Sequence, residues 1–286
     1  MFSSPTKHFG LLCLFGLLHL MSCKWIDLSY KFNNETLYWG TSTRFQHKLV
    51  YEGPLVANNV SYYSAYDYSG AEHGGTHVDA PIHFAKGKWS VDQIPPEKLV
   101  GEAVVVNISV KSAADRNARL TVDDLEKWES EHGAIPKGSI LFVFSDWGKH
   151  WPSYEKYFGT TTKNASLYSF PGIHEDAATW LVANRDINAV GIDTPSIDYG
   201  KSKSYLTHQI LYKTNIFGLE NVANLDKLPA TGYIVYALPM NIERGSGGPV
   251  RIFATMKSTN RAGINFSTSF GAVMVVAMAL LHVNLA

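Results

Sequence analysis

The sequence contains very little cysteine. Among its 286 residues only Cys13 and Cys23 are cysteines, and both precede the main body of the chain. The rest of the chain can therefore form neither an internal disulfide nor a thiolate site for zinc.

An excess of charge of either sign is also missing. Lys+Arg and Asp+Glu both number 25, so the formal net charge is +0 at pH 7, and no run of basic residues is present. This balance argues against a protein that binds nucleic acid. Because 45% of the residues are hydrophobic and only 17% are charged, the composition excludes a disordered or collagen-like chain and provides for a sizeable core.

The hydrophobic run near the start of the chain is short for a membrane span. Residues 9–21 are mostly apolar, follow Lys7, and end just before Cys23, whereas a spanning helix needs about 20 apolar residues. The pattern predicts a secretory signal peptide over residues 1–22. A retained membrane anchor is one alternative, and a bacterial lipoprotein signal with Cys23 as the modified residue is another.

The end of the chain has a second hydrophobic run. Residues 270–281 are almost wholly apolar, and no Lys or Arg follows them, although a spanning helix usually has positive charge on its cytoplasmic side. Small residues at 258–260 and a mostly polar spacer at 261–269 precede the run. This order predicts a glycolipid-anchor signal over residues 258–286 that is removed on maturation. A retained single span and a soluble C-terminal helix are the alternatives.

Glycosylation triplets support export independently. The sequence has five of them where composition predicts about two, so we expect a glycoprotein of the secretory pathway that is tethered outside the cell. The acceptors are Asn34, Asn59, Asn107, Asn164 and Asn265, of which the last would be lost with the tail.

Residues 23–257 are predicted to form one domain. Short β-branched runs bounded by turn residues predict buried strands at 103–110, 139–144, 189–192 and 233–238. Thr121 and Asp124 have the spacing of a capping box and predict a helix that reaches residue 131. A second helix is predicted over residues 174–184. Strands interleaved with helices indicate the α/β class rather than a β-sandwich.

Histidine is concentrated in one segment. Three of the 11 histidines, His73, His77 and His83, fall with Asp79 within residues 73–83, where composition predicts roughly 0.4 histidine. A glycine turn followed by extended chain would place His77 and Asp79 on one face, with His73 returning to them. Imidazole and carboxylate ligands suit zinc or manganese. The alternative is a loop whose histidines are merely hydrogen-bonded.

This segment closely resembles the signature of the cyclase-like metal hydrolase family, which includes bacterial kynurenine formamidases and isatin hydrolases. The resemblance covers roughly residues 25–255 and implies a mixed, barrel-like β core with flanking helices. It is carried by residues 73–83, 170–173, 177–181, 190–198, 208–211, 220–222 and 247–251.

The resemblance also implies roles for site residues. It implies His73, His77 and Asp79 on one divalent metal ion, with Asp79 bridging to a second ion held by His208 and Glu220. Zinc is expected, with manganese as the alternative. Glu220 resembles the formamidase branch, since isatin hydrolases have an amide there and a single metal.

Four further residues are candidates for a role at the site, the first two of them through the resemblance. His83 would stay free of metal and transfer a proton, and Trp39 would lie beside the substrate ring. Asp193 and Asp198 could each orient a ligand imidazole or simply cap a turn.

The function that this resemblance implies is hydrolysis of an amide or cyclic amide by metal-activated water, with N-formyl-L-kynurenine as the leading substrate. One alternative is a hydrolase of another aromatic lactam or amide. The other is a cell-surface binding protein that kept the fold and lost the chemistry. The expected partners are a small-molecule substrate and a second copy of the chain in a homodimer, with membrane contact only through the anchor.

Overall fold

The computed structural model describes residues 25–256. The predicted signal peptide, the predicted anchor signal and Asn265 lie outside these residues. Within residues 25–256, no helix is both long and apolar enough to cross a membrane.

Seven strands close into a mixed barrel. Their order around the barrel is β12 (Gly247–Met256), β11 (Tyr233–Pro239), β5 (Val100–Asn107), β7 (Ile140–Phe144), β9 (Ala189–Ile192), β10 (Phe217–Glu220) and β4 (His77–Asp79). The β5, β7, β9 and β10 strands run parallel, whereas β11, β12 and β4 pair antiparallel with their neighbours. The three-residue strand β4 closes the ring by pairing with both β10 and β12.

The remaining strands lie outside this ring. The short strand β1 (Trp25–Asp27) pairs with β12. A long hairpin, β2 (Gln46–Leu55) and β3 (Val60–Ser69), forms a sheet of its own, and β6 (Arg119–Leu120) pairs in parallel with β8 (Gly172–Ile173).

Within residues 25–256, five α-helices accompany the barrel strands. They are α1 (Ser109–Ala114), α2 (Val122–His132), α3 (Tyr154–Phe158), α4 (Glu175–Asn184) and α5 (Leu206–Tyr212). The α2 helix begins with the predicted capping box, in which the Thr121 and Asp124 side chains each bond the other residue's backbone N–H.

Successive side chains along the strands point alternately into and out of the barrel, which gives two separate hydrophobic cores. Val105 and Phe142 point into the barrel, where they pack with the inward residues of the other strands. Their neighbours Val104 and Leu141 point outward and pack against helix residues such as Leu181. Helices over one face of a mixed closed sheet confirm the predicted α/β fold with a barrel-like core.

The predicted element bounds agree with the structure except in two places. The strand predicted at 103–110 is β5, but it ends at Asn107 because the Asn107 side chain accepts the backbone N–H of Ser109 and α1 starts there. The chain predicted to be extended through residue 83 leaves the strand after Asp79. Pro81 opens a 3-10 turn over Pro81–His83, since its fixed φ suits a first helical position.

Candidate metal centre

Strand register brings three of the predicted ligands together. Glu220 on β10 lies directly opposite His77 on β4, and Gly218 lies opposite Asp79. Opposite residues of an antiparallel pair share a face, as do residues two apart on one strand. His77, Asp79 and Glu220 therefore project to the same side, and all three are buried.

Both strands beside β4 place a glycine next to Asp79. A Cβ on Gly218 would come within 2.2 Å of the Tyr212 hydroxyl, and a Cβ on Gly247 within 2.5 Å of His73 Cε1. Because glycine has no Cβ, the space beside Gly218 and Gly247 is filled by two groups that contact Asp79, the Tyr212 hydroxyl and the His73 ring. Tyr212 donates a hydrogen bond to Asp79 Oδ2 at 3.1 Å, and His73 Nδ1 lies 2.7 Å from Asp79 Oδ1.

His77 has one ring nitrogen bonded away from the cluster and one directed into it. Its Nδ1 donates to the carbonyl of Gly75 at 3.0 Å. Its Nε2 is buried and has no hydrogen-bond partner, although Asp79 Oδ1 lies 3.1 Å away and Glu220 Oε2 3.4 Å away. A buried nitrogen without a partner, directed at two carboxylates, has the surroundings of a metal ligand.

His208 on α5 is held in the same manner. Its Nδ1 lies 2.6 Å from Asp198 Oδ2, and its Nε2 lies 3.2 Å from Glu220 Oε1 and 3.4 Å from Asp79 Oδ2. Asp198 therefore orients an imidazole. Asp193 does not, because its carboxylate accepts instead from the backbone and hydroxyl of Ser145 and from the backbone of Trp147.

His83 lies over the cluster rather than within it. The 3-10 turn places its ring stacked on His73 at 3.9 Å between centroids. Its Nε2 lies 4.0 Å from Asp79 Oδ2, and its side chain is 31% exposed. Burial lowers the pKa of His83 to about 4, against the opposing effect of Asp79.

The pKa values of the two buried carboxyl groups, Asp79 and Glu220, are shifted in opposite directions. Burial alone would raise the pKa of Asp79, but the neighbouring imidazoles of His73 and His208 hold it well below its usual range. Burial and the neighbouring Asp79 raise the pKa of Glu220. Two carboxylates that repel each other in a buried site are stabilised by a bound cation.

The imidazole nitrogens and carboxylate oxygens of the cluster are a suitable set of ligands for divalent metal ions. His77 Nε2 lies beside one oxygen of each carboxylate, and His208 Nε2 lies beside the other oxygen of each. Within residues 25–256, the side chains close enough to hold an ion form two groups that share Asp79: His77 with Asp79 and Glu220, and His73 with Asp79 and His83. His83 is thus within reach of an ion held by His73 and Asp79.

An aromatic cavity opens onto the cluster. Its volume is about 330 Å³, and its apolar lining includes Leu37, Tyr38, Trp39, Phe84, Phe158 and Tyr205. Trp39 lies in the wall, edge-on to Tyr168 with 4.9 Å between ring centroids, and its contact with a substrate ring stays a prediction. Tyr205 precedes α5 in the left-handed conformation, with φ at 50°, which is uncommon for a bulky residue.

The structure therefore gathers every predicted metal ligand, His83 and Trp39 around one cavity. The sequence interpretation did not assign Tyr212, Tyr205, Glu72 or Ser246 to the site. Only Ser246 had a local signal, because it lies in a glycine-rich stretch at residues 245–248. His174 is the N-cap of α4, where its Nδ1 accepts from the backbone of Asp176.

The four predicted glycosylation sites within residues 25–256 are exposed. They are Asn34, Asn59, Asn107 and Asn164. Their modification stays a prediction.

Comparison with known proteins gives one family. The Cyclase family model matches residues 26–199. An isatin hydrolase of Roseibium aggregatum is 35% identical over 191 residues, which cover 64% of this chain and 71% of the relative. A kynurenine formamidase of Bacillus anthracis is 26% identical over 237 residues, which cover 81% of this chain and 97% of the relative.

A solved structure agrees with this result. Isatin hydrolase A from Labrenzia aggregata, bound to benzyl benzoate, superposes with a TM-score of 0.75 at 29% identity, covering 87% of this chain and all of the other. The match to the family model spans more than half of the sequence and includes the histidine cluster. The chain therefore belongs to the cyclase family.

Proposed function

We propose that this protein is a metal-dependent hydrolase of a small aromatic amide or cyclic amide, with N-formyl-L-kynurenine as the leading substrate. The observation that carries the proposal is the buried Nε2 of His77, which has no hydrogen-bond partner and faces Asp79 and Glu220. Such an arrangement is costly in a folded protein unless a ligand satisfies the nitrogen.

The proposal includes two metal ions. His73, His77 and Asp79 would hold one, and His208 and Glu220 would hold the other with Asp79 between them. The division of the four carboxylate oxygens between His77 and His208 supports two positions. Ligands of nitrogen and oxygen without thiolate favour zinc, with manganese as the alternative. Such ions supply Lewis acidity, which polarises a carbonyl and acidifies water.

The residues of the chain supply the rest of the chemistry. The aromatic wall holds a planar ring and excludes water, which leaves the scissile carbonyl at the polar end of the cavity. His83 Nε2 takes a proton from the attacking water and returns it to the departing nitrogen as the carbon–nitrogen bond breaks. The products are a carboxylate and an amine, and an arylamine is a favourable leaving group because it is weakly basic.

Two features bear on which substrate is used. Glu220 favours a formamide, because the resemblance associates a carboxylate at this position with the formamidases. The higher identity is to an isatin hydrolase, whereas the formamidase aligns over more of the chain. Isatin or another aromatic lactam is therefore the alternative substrate.

Elemental analysis of the purified protein and a substrate screen test the proposal. We expect close to two ions per chain and turnover of N-formyl-L-kynurenine, with His77→Ala as the metal-deficient comparison. Absence of stoichiometric metal from the purified protein would contradict the proposal that it is a metal-dependent hydrolase. Full metal content with turnover of lactams alone would favour the isatin-hydrolase alternative, and metal without turnover the binding-protein alternative.

We also propose that the enzyme acts at the cell surface as a homodimer. Exposure of Asn34, Asn59, Asn107 and Asn164 supports a glycosylated, exported protein. The exposed tyrosines of the β2–β3 hairpin support a protein partner.

A further inference from the structure

His73 lies between two polar partners, one on each ring nitrogen. Its Nδ1 is 2.7 Å from Asp79 Oδ1, and its Nε2 is 2.9 Å from the hydroxyl of Ser246. A neutral imidazole carries one proton. The question is which nitrogen holds that proton, because only the other nitrogen can bind a metal ion.

The partners of Ser246 answer the question. Glu72 Oε2 lies 3.0 Å from the backbone N–H of Ser246 and 2.7 Å from its hydroxyl oxygen. Since a backbone N–H can only donate, Glu72 Oε2 is an acceptor, and the hydroxyl donates its single proton to that same oxygen. The hydroxyl can then only accept from His73, so the proton of His73 must be on Nε2.

We propose that Glu72, acting through Ser246, is a positioning residue that keeps the His73 proton on Nε2 and so makes Nδ1 the metal-ligating atom. The inference rests on the proposed metal-dependent function. With the proton on Nε2, the lone pair of Nδ1 faces Asp79 Oδ1 at 2.7 Å. Two acceptors this close repel each other unless a cation lies between them, so the Glu72–Ser246 pair favours the ion over a hydrogen bond within the cluster.

The backbone around Ser246 is also held by hydrogen bonds that do not involve Glu72. Its carbonyl accepts from the N–H of Ala80 at 2.9 Å, and the carbonyl of Gly245 accepts from Val91 at 3.0 Å. Gly247 lies against the His73 ring, where a Cβ would come within 2.5 Å. Substitution of the Glu72 side chain should therefore change the direction of the Ser246 hydroxyl while its backbone stays in place.

Nitrogen-15 NMR of the metal-free protein tests the tautomer directly. At alkaline pH, long-range proton–nitrogen spectra distinguish a protonated ring nitrogen from a bare one. The His73 signals are identified by their absence from His73→Asn. We expect the proton on Nε2 in the wild type and in Glu72→Gln, whose amide oxygen can accept both Ser246 donors. In Glu72→Ala and Ser246→Ala we expect population of the Nδ1–H form, which can donate to Asp79.

Zinc affinity, measured by competition with a chromogenic chelator, gives the second readout. The dissociation constant should rise on the order of 10–100-fold in Glu72→Ala and Ser246→Ala, as for loss of other partners that orient a ligand imidazole. It should stay near the wild-type value in Glu72→Gln. Glu243→Ala is the matched control, because Glu243 lies on the same loop, is exposed, and pairs only loosely with Arg244 at 3.9 Å.

A wild-type His73 with its proton on Nδ1 would overturn the inference, as would wild-type zinc affinity in Ser246→Ala. Failure of the proposed function looks different. A wild-type chain that binds neither zinc nor manganese contradicts the metal-dependent enzyme, while the NMR measurement on the metal-free chain still decides the position of the His73 proton.

Discussion

His83 differs from the other histidines of the cluster in how its ring is held. His77 and His208 each have Nδ1 bonded to a fixed acceptor, Gly75 and Asp198, which directs Nε2 at the carboxylates. His83 is held by stacking on His73, and its Nε2 is 4.0 Å from the nearest Asp79 oxygen. Because neither ring nitrogen of His83 is bonded to a carboxylate of the cluster, His83 can gain or lose a proton without removing a proposed metal ligand.

This difference predicts the effect of His83→Ala. The variant should keep its metal and lose on the order of 10²–10⁴ in turnover of an arylformamide, the usual contribution of a positioned acid–base group. The loss should be smaller for an activated aryl ester, whose leaving group needs no proton. Metal content and steady-state kinetics measure both effects.

Two results would contradict the role of His83. Loss of metal as complete as in His77→Ala would make His83 a ligand, which its grouping with His73 and Asp79 allows. Full metal with full turnover would mean that the proton comes from another group. His174 is then a weak candidate, because it is not among the residues that line the cavity.

The raised pKa of the buried Asp193 carboxyl predicts that the free energy of unfolding depends on pH. Burial raises the pKa of its carboxyl from 3.8 to about 6, although hydrogen bonds from Ser145 and Trp147 oppose the shift. Because the folded state binds this proton more tightly than the unfolded chain, the stabilisation is complete below pH 3.8 and is lost as the pH rises through 6. The two-unit difference corresponds to about 3 kcal/mol.

Asp193→Asn removes this titration. The unfolding free energy of the wild type minus that of the variant should fall by roughly 2.4 kcal/mol between pH 4 and pH 7, which is most of the full effect. Urea unfolding of the metal-free proteins at several pH values measures the difference. A difference that does not change with pH would exclude a raised pKa at Asp193.

At the scale of elements, the strand β10 serves two functions. It presents Glu220 opposite His77 and leaves space opposite Asp79, where Gly218 lets the Tyr212 hydroxyl reach Asp79. Gly218→Ala should destabilise the fold by roughly 1–3 kcal/mol, as overpacking does, because the new Cβ would lie 2.2 Å from the Tyr212 hydroxyl oxygen.

Removal of the hydroxyl should relieve most of the clash. In Tyr212→Phe the nearest ring atom to that Cβ would be Cζ at 3.3 Å. The double variant should therefore be more stable than the sum of the two single effects predicts. Chemical unfolding of the wild type, the two single variants and the double variant completes this double-mutant cycle. Additive effects on the free energy of unfolding would show that Gly218 and Tyr212 are not coupled.

The β2–β3 hairpin is the largest of the elements that the sequence interpretation missed. Periodicity identifies strands that bury one face, whereas both faces of this hairpin are largely exposed. Cross-strand pairing places Leu49, Tyr62, Tyr66 and Tyr68 on one face, and their exposed fractions run from 45% to 62%. A two-stranded hairpin is marginally stable alone, and an aromatic face of this kind suits a protein partner.

The proposed homodimer gives this face a partner, with two-fold packing of the hairpins. The paired substitution Tyr62→Lys and Tyr66→Lys should dissociate the dimer, whereas Tyr63→Lys, on the opposite face, should not. Sedimentation velocity measures the change. A monomeric wild-type protein, or equal effects of both substitutions, would contradict this interface.

At the scale of the whole molecule, the location of the protein is open to a direct test. A glycolipid anchor predicts release from cells by a phosphatidylinositol-specific phospholipase, and loss of tethering when residues 270–286 are removed. Protein that stays attached and retains its tail by mass spectrometry would favour a spanning helix, provided that a control anchored protein is released.

The sequence predicted those parts of the molecule that local patterns determine. Strand β9 matches its predicted bounds, and the capping box of Thr121 and Asp124 starts a helix as expected. Grouping of His208 and Glu220 with the histidine segment came only from the family resemblance, since β10 reaches β4 through the closed ring. Glu72 and Ser246 lie 174 positions apart, and no local pattern connects them.

The short strand β4 both closes the barrel and carries His77 and Asp79. Its partners, β10 and β12, lie toward the other end of the described chain, so these pairings have a high contact order and a large loop-closure entropy. They should form late in folding, after the parallel strands have assembled. The ligand set then does not exist in early folding intermediates, and metal supplied to the unfolded chain should shift the folding equilibrium by mass action without accelerating the initial steps.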